Sequence, residues 1–321
     1  AQFASNKIME EIIQDLKDFG VEFDFFFYES QLYQKGKVTE TIKRLKEKGL
    51  LYRREGAWWI KSSLWGDEKD RVVVRKGGNP TYLASDIAYH SEKFKGNFYR
   101  IINIWGADHH GYIPRLKAGL MALGFPIEKL EVILVQMVSL IRQGKKVPLS
   151  TRKGEFITLK ELIQEVGKDV CRFFFLTRRG DTHLDFDIDL AKKEAPENPV
   201  YYVQYAYARI CSIFEKARKE GKKSPLSPPW EVLTKGEERE LLRLLSLYPW
   251  ILENSAQWRE PHRITMFLID LATSFHKFYD RWKVLGEKEE IEKARLALCE
   301  VTGYVLKSGF NILGITPRER M

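Results

Sequence analysis

The chain has 321 residues, 44% hydrophobic and 30% charged, which is enough to bury the core of one large domain or two smaller ones and excludes wholesale disorder. Lys and Arg outnumber Asp and Glu by 53 to 44, a formal charge of +9 that suits a polyanionic partner and equally describes the Lys/Glu-rich surface of a heat-stable protein. No apolar run approaches the roughly 20 residues of a membrane span, no charged-then-apolar leader opens the sequence, and Cys171, Cys211 and Cys299 stand too far apart for a metal knuckle or a disulfide framework, so a reducing, cytoplasmic setting without a membrane partner is expected.

In chain order, "FASNKIMEEIIQDLKDFG" carries a helical pattern from the start. Residues 38 to 49 predict an amphipathic helix stopped by Gly49, and "GAWWIKSS" a strand. After "RVVVR" and the turn "KGGNP", a helix is expected from Tyr82 through "YLASDIAYHSEKF". The apolar "FYRIINIW" reads as a strand, "GADHHGY" as its glycine turn, and "IPRLKAGLMALG" as the following helix. A second apolar run, "LEVILVQMVSLI", leads to the basic loop "RQGKKVPLSTRKG". Strand, glycine turn, helix and buried strand are the grammar of a parallel α/β sheet, whose ligands sit at the carboxyl ends of its strands. On this pattern Gly106, Asp108 and the basic loop converge on one edge of one sheet. From Asn198 onward the texture changes to long amphipathic helices broken by the loop "KKSPLSPPW", which predicts an all-α bundle.

Several residue groups suggest chemistry. Asp108, His109 and His110 resemble a metal site, but neighbours on a helix diverge by about 100°, and Asp185, Asp187 and Asp189 follow downstream, in the wrong order for an Asp-His-His phosphoesterase. No metal is therefore expected; a metal-dependent phosphoesterase is the distant alternative. A nucleotide asks less: Gly106 lets backbone approach a sugar, Asp108 accepts from ribose hydroxyls, and either histidine donates to phosphate or adenine. The bland alternatives are an N-cap for Asp108 and a structural role for His109. Tyr82 and Asp86, four apart on one helix, suit a cationic group, with Glu29 after "FDFFFYES" as a second carboxylate. Tyr202 and Tyr205, at i and i+3 beside Arg209, suit stacking on unpaired RNA bases or packing in a bundle core.

Taken together, "VEFDFFFYES", "EKGLLYRREGAWW", "NPTYLASDIAYH", "GADHHGYIPRLKAGL", "VPLSTRKGEFITL", "NPVYYVQYAYAR" and "NILGITPRERM" closely resemble, in order and spacing, the C-terminal half of the arginyl-tRNA synthetases, class I enzymes. The resemblance implies a partial Rossmann-like catalytic domain over residues 1–190, with an insertion at about 1–75 and a signature loop at about 144–156. A helical anticodon-binding domain over 191–321 follows. It implies that Glu29, Tyr82 and Asp86 bind arginine, and that Gly106, Asp108, His109 and His110 contact ATP, which enters with Mg²⁺ as substrate. Ser150, Arg152 and Lys153 of the signature loop would act on the phosphates. Both lysines of the family's usual Lys-Met-Ser-Lys-Ser pattern are missing there, and Lys146 is a further candidate. Tyr202, Tyr205, Tyr279 and Met321 would meet the anticodon loop of tRNA(Arg). The His-Ile-Gly-His motif and the N-terminal tRNA-elbow domain have no counterpart in the sequence. The chain is thus expected to begin partway through the catalytic domain, to be a monomer, and to be inactive alone. A non-catalytic tRNA-binding module is the alternative.

Overall fold

The computed structural model describes residues 2–148 and 157–321, which pack as two compact units, one of residues 23–137 and the other of residues 2–22 with 138–148 and 157–321. The first helix, α1 (Gln2–Asp18), belongs to the latter.

The 23–137 unit begins with α2 (Ser30–Gln34) and α3 (Lys37–Glu47). Val38, Thr41 and Leu45 face inward from α3, and Gly49 ends it at φ +67°. Strands β1 (Leu51–Arg54), β2 (Ala57–Ile60) and β3 (Arg71–Val74) form an antiparallel sheet in that order. Helix α4 (Tyr82–Lys95) then buries Leu83, Ala84, Ile87 and Ala88. Next come β4 (Ile101–Gly106), α5 (Ile113–Leu123) and β5 (Leu130–Val135). Strands β4 and β5 are parallel, from Ile101 opposite Leu130 to Gly106 opposite Val135. Leu116 and Leu120 of α5 share one core with Ile87, Ile60 and Leu45. One face of β4 stays open: Ile101 and Asn103 are buried, whereas Ile102 is 43% and Ile104 70% exposed.

In the other unit, β6 (Val138–Arg142) pairs antiparallel with β7 (Lys145–Lys146), and α6 (Leu159–Val166) and α7 (Lys168–Phe175) follow. Strand β8 (Leu184–Asp187) returns parallel to β6 and leads into α8 (Ile188–Ala191). The apolar run "LEVILVQMVSLI", expected as a single strand, is therefore two. It breaks at Gln136 and Met137, and its halves belong to different sheets. Gly106 and residues 142–146 of the basic loop therefore belong to different sheets; a continuous apolar run carries no mark of where pairing changes partner.

Helices α9 (Pro199–Lys219), α10 (Gly236–Trp258), α11 (His262–Arg281) and α12 (Glu289–Leu313) form the bundle, with 222–230 as the loop after α9. Phe173 and Phe186 join Phe275, Phe278 and Phe310 in a single core, so residues 138–148 and 157–190 pack with the helices after them. Inside the bundle Arg295 donates to Glu238 at 2.7 Å, both side chains almost wholly buried. Arg172 of α7 donates to the carbonyls of Leu313 (2.9 Å) and Phe19 (3.2 Å), tying the end of α12 to the turn after α1. No helix among the described residues is long and apolar enough to cross a membrane.

Candidate active site

Helix α4 organises the site of the 23–137 unit. Its apolar positions are buried, which turns Tyr82, Asp86 and Tyr89 toward the aromatic segment before α2. A cavity of ≈280 Å³ results, lined by Phe27, Glu29, Tyr82, Ser85, Asp86 and Tyr89 together with Leu32. The three arginine-site candidates are thus brought together. Two carboxylates and three aromatic rings surround a space that suits a flat cation.

Second-layer contacts fix both carboxylates. Ser85 donates its hydroxyl to Glu29 Oε1 at 2.7 Å, and Tyr112 donates its phenol to Asp86 Oδ2 at 2.5 Å. Burial raises the Asp86 carboxyl above its ordinary range, partly opposed by the Tyr112 hydrogen bond. The Tyr112 phenol is pushed well upward by burial and by Asp86, so it remains a proton donor at neutral pH. Beneath Asp86, His90 Nδ1 lies 2.8 Å from the Asp86 carbonyl, and its Nε2 lies 2.7 Å from Asn103 Nδ2 on β4. A carbonyl only accepts and an amide nitrogen only donates, which assigns a neutral imidazole with the proton on Nδ1. Burial, which lowers the His90 pKa, agrees. His90 is therefore the satisfied structural histidine of this region.

Sequence reasoning passed over Ser85, His90 and Tyr112. His90 stands four residues after Asp86 on the same helix face and was within reach of the pattern; Tyr112, which closes "GADHHGY", meets Asp86 only across elements. Ser85 had no signal, since its role depends on a partner 56 residues away.

At the carboxyl end of β4, residues 107–112 form a 3₁₀ turn before α5. A Cβ on Gly106 would lie 2.5 Å from Asp108 Oδ1, so glycine there lets the carboxylate fold back over the strand end. Asp108 does not cap the turn, and its side chain is 79% exposed. His109 is also largely exposed, 3.7 Å from Asp108, and His110 is exposed beside it. The trio offers a donor and acceptor surface to solvent. Among the described residues no group of three or more His, Cys, Asp or Glu is placed to hold a metal. Each carboxylate of the downstream Asp triplet has a structural partner: Asp185 meets His183 and Lys146, Asp187 caps α8, and Asp189 accepts from the Gln143 amide. Ser150, Arg152 and Lys153 lie outside the described residues. Lys146, on β7, is exposed, 3.7 Å from Asp185.

In the helical unit, Tyr202, Tyr205 and Tyr279 gather around His276 and Arg209. The Tyr202 and Tyr205 rings lie 4.6 and 5.7 Å from the imidazole, and the Arg209 guanidinium lies 4.4 Å from the Tyr205 ring and 4.8 Å from that of Tyr279. Asp280 pairs with Arg209 at 3.2 Å. Met321 stands apart from this group. It lines a cavity of ≈160 Å³ with Tyr201, Asn198, Gln204 and Arg318. Tyr201 stacks on Tyr205 at 6.1 Å and links the two places. Tyr202 packs against the core while Tyr201 faces the surface cavity.

Comparison with known proteins agrees with both halves of this description. A family profile described as the catalytic domain of "tRNA synthetases class I (R)" matches residues 2–174, and one described as the DALR anticodon binding domain matches residues 203–321. The arginine–tRNA ligase of Geobacter sp. (strain M21) is 51% identical over 324 residues, covering 100% of this chain and 58% of that protein. A Campylobacter jejuni structure assigned as an arginyl-tRNA synthetase matches with a TM-score of 0.88 at 37% identity, over 100% of this chain and 69% of that one. Thermus thermophilus arginyl-tRNA synthetase matches with a TM-score of 0.83 at 21% identity, over 100% and 64%, a likeness of fold alone. The chain spans 58% of the length of the Geobacter relative. Matched first through an α/β catalytic segment and then through a helical one, the chain belongs to the class I arginyl-tRNA synthetase family, of which it carries part of the catalytic domain followed by the DALR anticodon-binding domain.

Proposed function

We propose that the chain is the part of an arginine–tRNA ligase that holds arginine, part of the ATP site, and the anticodon loop of tRNA(Arg), with residues 1–190 catalytic and 191–321 the anticodon reader. The observation that carries this is the cavity lined by both Glu29 and Asp86 together with Phe27, Tyr82 and Tyr89. A guanidinium entering it exchanges water for two carboxylates, and a buried cation is tolerated only when paired in this way. Its arrival also favours the ionised form of Asp86, which burial alone disfavours.

In this reading ATP, with Mg²⁺, enters as substrate against Gly106, Asp108 and the two histidines. The arginine carboxylate attacks the α-phosphorus and pyrophosphate leaves. The terminal ribose of the tRNA then takes the arginyl group and AMP leaves. Protein groups supply position and charge, not a covalent intermediate. Arg152 and Lys153, with Lys146, would neutralise the departing phosphates, and the Ser150 hydroxyl would donate to them. Tyr202, Tyr205 and Tyr279, with Met321 beside Tyr201, would meet the anticodon bases. We further infer a cytoplasmic monomer that does not aminoacylate as these 321 residues alone. The open apolar face of β4 bears on the last point only, the lack of activity alone, because parallel sheets are normally covered on both faces.

The alternative is a tRNA-binding module without catalysis. Asp86→Asn separates the two. Calorimetry on this chain is expected to show arginine binding lost in the variant and tRNA binding unchanged. Arginine affinity equal to that of the unsubstituted chain would remove the arginine-site reading.

A further inference from the structure

We propose that His276 is a positioning residue of the tyrosine cluster in the helical unit, accepting a hydrogen bond from Arg209 so that the free edge of that guanidinium is presented to an RNA base. The inference rests on the anticodon reading above and adds the group that sets its discrimination.

His276 is buried on α11, against Tyr202 and Arg209 of α9. Its Nε2 lies 3.2 Å from the Tyr202 carbonyl, and its Nδ1 lies 3.3 Å from Arg209 Nη1. A carbonyl only accepts and a guanidinium only donates. Both contacts are therefore hydrogen bonds only for a neutral imidazole with its proton on Nε2. Four side chains hold Arg209. Its Nη1 donates to His276 and, at 3.2 Å, to Asp280, while the rings of Tyr205 and Tyr279 lie against the guanidinium. Both Nη1 protons are thus engaged. Nε and Nη2 have no hydrogen-bond partner among the described residues. Together they make the planar fork that fits a paired acceptor edge, such as a base presents. The bond to Asp280 alone leaves the fork free to swing about it; the second bond, to His276, fixes its direction.

A proton on Nδ1 would undo this. An imidazolium cannot accept, and it sets a second cation 3.3 Å from the first. Among the described residues, the charged groups that act on His276 are Arg209 from α9 and Asp280 from α11 itself, and none comes from α10 or α12. Tyr202 and Tyr205 are the titratable rings against it. Burial, opposed by the Tyr202 carbonyl and aided by the Arg209 cation, holds the imidazole below its ordinary pKa of 6.5. The accepting form therefore prevails at neutral pH. Discrimination should be complete above pH 6.5 and be lost as pH falls through the lowered value.

The test uses this chain with 5′-labelled tRNA(Arg) and the same tRNA changed at its middle anticodon base. Anisotropy is read at fixed salt from about pH 8 to about pH 5, across the histidine range. The readout is the ratio of the two affinities, because protonation of other histidines strengthens both alike. The ratio should hold above pH 6.5 and fall below it by about tenfold, the worth of one charged hydrogen bond. His276→Asn sets a carbonyl oxygen near the place of Nδ1 and has no proton to gain, so its ratio should not vary with pH. His276→Leu offers no acceptor and should give the low ratio at every pH. If neither variant folds, the profile of the unsubstituted chain decides. A flat ratio in that chain, pH dependence that survives in His276→Asn, or an undiminished ratio in His276→Leu overturns the proposal. So does a parallel fall of both affinities, which would assign Arg209 to a phosphate. Equal binding of the two tRNAs at every pH removes the anticodon reading itself; discrimination without pH dependence removes this inference alone.

Discussion

Asp86 shows how a single side chain carries a burial cost that its Tyr112 hydrogen bond relieves only in part. Its raised pKa means that, between the ordinary carboxylate value of 3.8 and the raised one, the folded chain holds a proton that the unfolded chain has lost. Stability therefore falls as pH rises through that window. Asp86→Asn is expected to be more stable than the unsubstituted chain at neutral pH in urea denaturation, with the gap narrowing as pH falls toward 3.8. A variant less stable at neutral pH would contradict this account of the carboxylate. Tyr82 and Asp86 were legible in the sequence because a four-residue helical spacing is local. Their supports were not, because the Tyr112 phenol and the Ser85 hydroxyl reach across elements, and no spacing rule reports a contact between distant segments. Asp108 and His109 were legible as polar and available; the structure leaves both exposed, which neither the N-cap nor the structural-histidine alternative predicts.

Among elements, most helices followed from apolar periodicity, and the misses have identifiable causes. The β1–β2 hairpin turns on Glu55 and Gly56, both at positive φ (53° and 79°). Glutamate takes the place where Asn or Asp usually signals such a turn, and the pattern stays silent. The Asp185–Asp187 alternation, which resembles a metal motif, is strand periodicity: the buried Leu184 and Phe186 alternate with the two carboxylates. Helix α12 ends at Gly314, at φ +69°, and a Cβ there would lie 2.6 Å from the Arg172 guanidinium. Gly314→Ala is expected to lose about 1–2 kcal/mol from the left-handed backbone alone. Loss of the Arg172 bonds to Leu313 and Phe19 would add to that. An unchanged urea midpoint would show that this junction does not hold the unit together.

For the whole molecule, the +9 charge and the helical unit would answer to the anionic tRNA proposed above, whereas the cavity lined by Glu29 and Asp86 would answer to a cation. Charge alone gives sequence-independent affinity; the Tyr202, Tyr205 and Tyr279 cluster is what would discriminate. Titration with tRNA(Arg) and with the same tRNA changed at its middle anticodon base, at fixed salt, should show weaker binding of the changed tRNA. Equal binding would mean that the basic surface grips phosphates only. The arginine cavity, on which the functional reading turns, is tested most directly by calorimetry with arginine and with citrulline, which keeps the amino-acid end and replaces the guanidinium with an uncharged urea. Arginine should bind to this chain, and citrulline at least about tenfold more weakly, the worth of a single charge-assisted hydrogen bond. Equal affinity for the two, or binding of neither, would contradict a guanidinium site between Glu29 and Asp86.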